Sequence, residues 1–509
     1  MVGQSDAGQV GWEKLANLAK PTLKALFADP ARLDSWCTTL DLPGGTIRFD
    51  WSKTHLDAAA WAVLADIARA MDFENRRAAL FDGDAINASE GRAAEHTAQR
   101  GVGKETSVDE AAALHARTRA LVEAIHDGAL GEVKSLIHIG IGGSALGPAL
   151  AIDALTRDGA RVVVHVVSNI DGCALEAAMA QCDPATTLIA VASKTFTTTE
   201  TMINAASALG WLREGGVGDP YGRVVALTAA PDKAVEWGVD ETRVLPFPES
   251  VGGRYSLWSS IGFPIALALG WEDFAAFLDG AAAIDRHFLD TPLAENVVVR
   301  AAFGDLIYTQ ARGCQTRAVF AYDERLKLLP SYLQQLEMES NGKRVTADGK
   351  PLGRPSAPIT WGGVGTDAQH AVFQLLHQGT HVIPVDFLAV IISGDSLDPA
   401  HHRILLSNCF AQGAALMAGK AGSDLSRDYP GDRPSATMLC EDLNPATLGA
   451  LIAFHEHRTF VSAVMLGMNP FDQFGVELGK EIAKQIETGD GPGFDPSTEA
   501  LLALAGIGD

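Results

Sequence analysis

The chain reads as an α/β protein built on parallel sheet, and three observations carry that reading. Between residues 135 and 227, short apolar runs alternate with segments of helical spacing, the pattern of right-handed βαβ units. Within that region His138-Ile139-Gly140-Ile141-Gly142-Gly143-Ser144 passes from a strand into a helix through a glycine-rich turn. The composition, 47% apolar and 20% charged with 51 Gly and 23 Pro, is that of an ordinary globular α/β chain. At about 150 residues per domain, 509 residues favour two to four domains over one.

Taken in order, residues 12–100 are mostly helical in pattern, with Leu23, Leu26 and Phe27 and then Trp61, Leu64, Ile67, Ala68 and Met71 at helical spacing. A polar, Gly-containing stretch over 100–106 marks a boundary. Strands follow over 135–139, 161–167, 188–192 and 223–227, separated by helices from Ser144, over 174–181 and over 197–212. A second α/β unit has a weaker pattern: strand 318–322, helix 325–339, helix 368–378 and strand 381–392. The Gly/Pro-rich stretches 342–358 and 420–435 read as surface connections.

Charge and cysteine usage narrow the function. A net charge of −23 repels phosphate polymers and anionic surfaces, so neither nucleic acid nor a membrane is expected as a partner. Apolar runs such as 263–269 fall far short of the roughly 20 residues that span a bilayer. The first 27 residues are too interrupted by charge for a signal peptide. Six scattered cysteines without a C-x-x-C pair fit neither a disulfide framework nor a zinc site, and suit a reducing cytosol.

With the global field against it, a small anion needs a local site, and two loops offer one. Gly140, Gly142 and Gly143 let backbone approach a ligand at a helix N-terminus. The same turn fits the dinucleotide fingerprint through Gly140, Gly142 and Ala145, which keeps a Rossmann oxidoreductase in view. Two strands later, Ser193-Lys194-Thr195-Phe196-Thr197-Thr198-Thr199-Glu200 gathers five hydroxyls and an ammonium at another helix start. Hydroxyls there can simply cap the helix. Two such loops at the carboxyl ends of strands in one parallel sheet suit a compact phosphate monoester better than a dinucleotide. A dinucleotide would also want an acidic ribose partner, for which Asp171 is the candidate.

An ordered set of motifs extends over most of the chain. It comprises Ile86-Asn87 with Glu90 and Arg92-Ala93, residues 139–148 and 193–201, and Gly252-Gly253-Arg254-Tyr255-Ser256-Leu257-Trp258. It continues through Gln334-Gln335 with Met338-Glu339-Ser340-Asn341-Gly342-Lys343, Gln369-His370-Ala371 with His377-Gln378-Gly379-Thr380, and Phe471-Asp472-Gln473-Phe474-Gly475-Val476-Glu477 with Lys480. In these residues the chain resembles the phosphoglucose isomerase family. Asp367-Ala368 stands where that family usually has Asn-Gly, Glu95 replaces an apolar residue, and Ala463 replaces Gly or Ser.

The resemblance implies two sugar-isomerase-type (SIS) α/β/α sandwich domains with parallel-rich sheets. Residues 106–268 would form the smaller, phosphate-binding domain and 269–509 the larger one with C-terminal helices, with a mostly helical segment 1–105 packed on it. It implies aldose–ketose isomerisation of a sugar phosphate through a cis-enediol. Glu339 would be the base, Arg254 the stabiliser of enediolate charge, and His370 and Lys480 the ring-opening pair. Gly143, Ser144, Ser193, Lys194, Thr195, Thr198, Gln335 and Gln473 would contact substrate. Such chemistry asks for no metal, nucleotide or flavin cofactor. The resemblance further implies a homodimer in which His370 enters the partner's site. A non-catalytic sugar-phosphate sensor would keep the loops, yet have no need of Glu339, His370 and Lys480 together.

Overall fold

The computed structural model describes residues 6–489 and 493–507, and the chain divides into one unit up to Pro470 and another from Phe471. The first unit carries two sheets. Strands β1 (Cys37–Leu42) and β2 (Gly45–Asp50) form a hairpin. Strands β3 (Ser135–Gly140), β4 (Val163–Val167), β5 (Thr187–Ala192), β6 (Val224–Thr228) and β7 (Val244–Pro246) make an all-parallel sheet in the order β4-β3-β5-β6-β7. Strands β8 (Thr316–Tyr322), β9 (Ile359–Val364), β10 (Val385–Val390) and β11 (Ser435–Cys440) run parallel to one another in the second sheet.

The expected alternation over 135–227 is present with bounds shifted by a residue or two, because β3, β5 and β6 are buried along their whole length and such strands announce themselves as continuous apolar runs. Other strands were not legible, among them the three-residue β7. The β1–β2 hairpin lies inside the mostly helical N-terminal stretch and joins the second sheet through antiparallel pairing of β2 with β11, giving the order β1-β2-β11-β10-β8-β9. Strands β9 and β11 were also missed, since ITWGGV and SATMLC carry too little apolar alternation to be read as strands.

Two long helices cross through the middle of this unit, Trp271–Asp290 and Pro445–Leu466. Their backbones touch. A Cβ on Gly280 would lie 1.8 Å from the Ala446 carbonyl oxygen, and one on Gly449 would lie 1.9 Å from that of Phe277. Only glycine permits this approach, and it buries the second helix on nearly every side. The helix is capped by Asn444, whose side chain accepts from the Thr447 amide at 3.0 Å, and it ends at Gly467 with φ +71°.

The second unit contains a short 3₁₀ turn, Phe474–Val476, and the helices Glu477–Thr488 and Pro496–Ala505. Among the described residues no helix is long and apolar enough to cross a membrane, and all six cysteines are unpaired.

Candidate active site

Gly140 and Ala192 are register partners at the carboxyl ends of β3 and β5, so the two loops foreseen as anion cradles leave the sheet side by side. The first loop is a 3₁₀ turn, Gly142–Ser144, and the helix proper runs from Leu146 to Leu155. Gly143 lies against the segment Gly253–Trp258; a Cβ there would fall 2.2 Å from the Gly253 carbonyl carbon and 2.5 Å from the Arg254 nitrogen. Gly142, at φ +58°, faces the side-chain amide of Gln335. Beneath the turn, burial pushes the His138 imidazole down to about 4, so at neutral pH it is uncharged and its Nε2–H donates to the Ser144 carbonyl at 2.7 Å.

The second loop is pinned by Phe196, which takes φ +52° and buries its ring edge-on against Trp237 at 5.8 Å. This leaves Thr195 and Thr197 exposed, their hydroxyls 2.8 Å apart. The Ser193 and Thr198 hydroxyls are 3.1 Å apart at the start of helix Thr199–Glu214. Lys194 Nζ donates to the carbonyls of Glu249 at 2.7 Å and Val251 at 3.1 Å, tying the loop to the chain that leads into Arg254. Burial first, and Arg92 second, bring this ammonium down to about 8. Asp171 accepts from the Cys173 amide at 3.1 Å and so serves as a helix cap.

Opposite these loops stands Glu339. The expected helix over 325–339 is broken into a 3₁₀ turn, Glu324–Leu326, a short α-helix, Leu329–Leu333, and a π turn, Gln334–Glu339. Such widened turns cluster at functional sites. Buried Glu337 anchors this one by pairing with Arg317 and accepting from Thr360 Oγ1 at 2.5 Å. Glu339, two residues on, keeps a fifth of its side chain exposed and places Oε2 3.5 Å from Arg254 Nη1. Arg254 Nε donates to Ser340 Oγ at 2.6 Å and Nη2 to the Pro470 carbonyl.

The first unit thus gathers Gly143, Ser144, Ser193, Lys194, Thr195, Thr198, Gln335, Arg254 and Glu339 around the carboxyl end of the five-stranded sheet. His370 is placed differently. It is exposed on the first turn of helix Asp367–Gln378, while Ala368, Phe373 and Leu376 of that helix are buried. Among the described residues no hydrogen bond or ion pair joins it to the Arg254–Glu339 group. Gln473 and Lys480 belong to the second unit, with Lys480 exposed on Glu477–Thr488. That helix begins at Glu477, and the Asn469 Nδ2 group donates to Asn87 Oδ1 and Ser89 Oγ, both at 2.9 Å.

Sequence reading assigned no role to Ser340, Tyr255 or Glu337, although the first two stand inside motifs it quoted. Among the described residues no group of three or more His, Cys, Asp or Glu is arranged to hold a metal ion.

Gly-rich backbone, hydroxyls and an ammonium beside a carboxylate facing a guanidinium can hold a small phosphorylated molecule and move a proton on it. The class defined is a parallel-sheet α/β enzyme of acid–base chemistry on a phosphate ester. A profile of the phosphoglucose isomerase family matches residues 50–502. The glucose-6-phosphate isomerase of Novosphingobium aromaticivorans is 82% identical over 97% of this chain and 98% of its own length, and that of Zymomonas mobilis 58% identical over 99% of each. The crystal structure of a glucose-6-phosphate isomerase from Chlamydia trachomatis superposes with a TM-score of 0.87 at 29% identity, over 99% of this chain and 98% of that one. The chain belongs to the phosphoglucose isomerase family.

Proposed function

We propose that this chain interconverts D-glucose 6-phosphate and D-fructose 6-phosphate, as the aldose–ketose isomerase of glycolysis and gluconeogenesis. The observation that carries the reading is Glu339 Oε2 facing Arg254 Nη1 beside the two anion loops, in a chain of this family. The substrate phosphate is held by the loop of Gly143 and Ser144 and by Ser193, Lys194, Thr195 and Thr198. His370 and Lys480 open the sugar ring, one protonating the ring oxygen while the other takes the anomeric hydroxyl proton. Glu339 then removes the C2 proton; the C–H electrons form the C1–C2 double bond and charge collects on the former carbonyl oxygen, near Arg254. A proton passes from O2 to O1, and return of the abstracted proton to C1 by the same carboxyl, with C2=O forming, yields the ketose and restores the Glu339 carboxylate. Gln335 and Gln473 hold sugar hydroxyls. The chemistry calls for no metal, nucleotide or flavin.

The active enzyme is a cytoplasmic homodimer in which His370 completes the partner subunit's site. Exposure of His370 on its helix supports this, since a side chain turned to solvent in one subunit is free to enter another. Functionally the chain divides into 1–105, 106–268 and 269–509; the ends of that division at 1–5 and 508–509 lie outside the described residues.

Incubation of the pure protein with glucose 6-phosphate in deuterated water is expected to give fructose 6-phosphate labelled at C1 and glucose 6-phosphate labelled at C2. Absence of both products would sink the reading. Mixing Glu339→Gln with His370→Ala under subunit exchange tests the shared site. About half the dimers are then mixed, each with one intact site, so activity returns to about a quarter of the parent level. No recovery despite exchange verified by mass would leave His370 in its own subunit's site.

A further inference from the structure

We propose that Ser340, with Tyr255 behind it, is a positioning residue for Arg254, fixing the plane of the guanidinium so that Nη1 faces Glu339. The inference rests on the roles given above to Arg254 and Glu339, and deepens them. Arginine has four side-chain torsions, and holding its planar fork in one orientation requires anchors on more than one edge. Nε donates to Ser340 Oγ at 2.6 Å, and Nη2 donates to the Pro470 carbonyl. With those edges fixed, Nη1 is directed at Glu339 Oε2, 3.5 Å away.

The arrangement is crosswise between two pairs of chain neighbours. Arg254 faces Glu339 and bonds Ser340, while Tyr255, next to Arg254, places its hydroxyl 3.0 Å from the same Ser340 oxygen. A serine hydroxyl can accept from the guanidinium and share a second hydrogen bond with the phenol, in which either oxygen can donate. The proposed base and the atom that aims its partner therefore sit on neighbouring residues of one turn. Ser340 is fully buried and Tyr255 is 2% exposed. The Tyr255 ring lies under the guanidinium at 5.4 Å and against His96 at 4.7 Å, so the serine's support is itself packed. A hydroxyl suits this place because it orients the guanidinium without cancelling its charge, which the enediolate step uses.

Steady-state kinetics on Ser340→Ala and Tyr255→Phe test the proposal, with guanidinium rescue of Arg254→Ala as an independent arm. Ser340→Ala is expected to lower kcat about 10- to 100-fold while KM changes less than about 3-fold, because the phosphate loops are untouched. Tyr255→Phe keeps the ring and is expected to lower kcat about 3- to 10-fold with the same split. Added guanidinium is expected to restore part of the activity of Arg254→Ala, and to restore less in Arg254→Ala/Ser340→Ala, where the acceptor is gone.

If Ser340→Ala keeps kcat within about 2-fold while Arg254→Ala is inactive, the role of Ser340 is overturned and that of Arg254 stands. If Arg254→Ala itself keeps the parent kcat, the reading of the reaction falls first. A loss shared equally between kcat and KM in Tyr255→Phe, with a lowered thermal midpoint, would reduce the pair to ordinary core packing and overturn the proposal.

Discussion

Arg100 and Arg254 are equally buried, 5% and 4% exposed, yet they are held in opposite ways. Arg100 is closed on by carboxylates. Asp285 accepts from Nε at 2.7 Å and from Nη2 at 2.6 Å, and Glu456 pairs with Nη1. Glu456 also accepts from the Trp258 indole at 2.8 Å, and Asp285 is bonded to His457 at 2.6 Å. Arg317 and Arg458 are locked in the same manner by Glu337, Asp386 and Asp305. Arg254 instead bonds a serine hydroxyl and a proline carbonyl, and its carboxylate neighbour Glu339 stands off at 3.5 Å with part of its surface open.

Close carboxylate pairing offsets a guanidinium's charge, whereas hydrogen bonds to a hydroxyl and a carbonyl orient the group without doing so. One segment joins both arrangements. Within Gly253–Trp258, Arg254 and Tyr255 reach Ser340 while Trp258 reaches Glu456, so the rigid cluster is the footing of the site. Burial against that cluster pushes the Glu456 carboxyl up to about 7, with Arg100 opposing the shift.

Breaking each arrangement separately sharpens this contrast. The largest effect is expected for Glu339→Gln, which removes the proposed base. Loss of about 10²- to 10⁴-fold in kcat is expected, together with loss of C2 proton exchange measured by NMR, and with little change in the thermal midpoint. Asp285→Ala should do the reverse. Opening a closed pair leaves Arg100 short of a buried partner, at a cost of about 3–5 kcal/mol in stability, read as a lower midpoint of thermal or denaturant unfolding. The kcat of the folded fraction is expected to stay close to the parent value. A variant of Asp285 that lost kcat without losing stability would erase the distinction between footing and site.

Smaller effects are expected at the anion loops. Ser144→Ala and Thr195→Ala each remove a proposed hydrogen bond to the substrate phosphate, worth about 1.5–3 kcal/mol, and should raise KM with kcat largely kept. An unchanged KM in both would move the phosphate elsewhere. The smallest effect is in pH dependence. Lys194 titrates near 8, so its ammonium is present below that pH and lost above it. KM for the phosphorylated sugar should then rise as pH passes through 8, by about two-fold at the midpoint, since half the ammonium is lost there. Lys194→Arg, which stays charged, should flatten that limb. A limb that persists in Lys194→Arg would assign the titration to another group.

How much of this was legible beforehand follows from the range of the interactions. The strands and helices over 135–227, the turn at Gly142-Gly143 and the hydroxyl-rich helix start at Thr198 are local. Apolar runs, glycines and caps act within a few residues, so the amino-acid order alone determines them. The roles expected of Glu339 and Arg254 came through the resemblance to the phosphoglucose isomerase family, since their local pattern alone reads as a solvated helix carboxylate and a structural ion pair. The β1–β2 hairpin was not legible, because its half-buried residues become a strand by pairing with β11, nearly 400 residues away. Nor was the break of the 325–339 helix, which depends on Glu337 finding Arg317 and Thr360.

Sequence by itself determined which groups this protein has for its chemistry and which local turns present them. Only the tertiary structure decided which partners each buried charge meets. Arg254 meets Ser340 across 86 positions and Arg100 meets Glu456 across 356. No local pattern encodes partners at such separations. Packing brings them within hydrogen-bond reach, and in a desolvated interior that reach decides whether a charge is cancelled or kept.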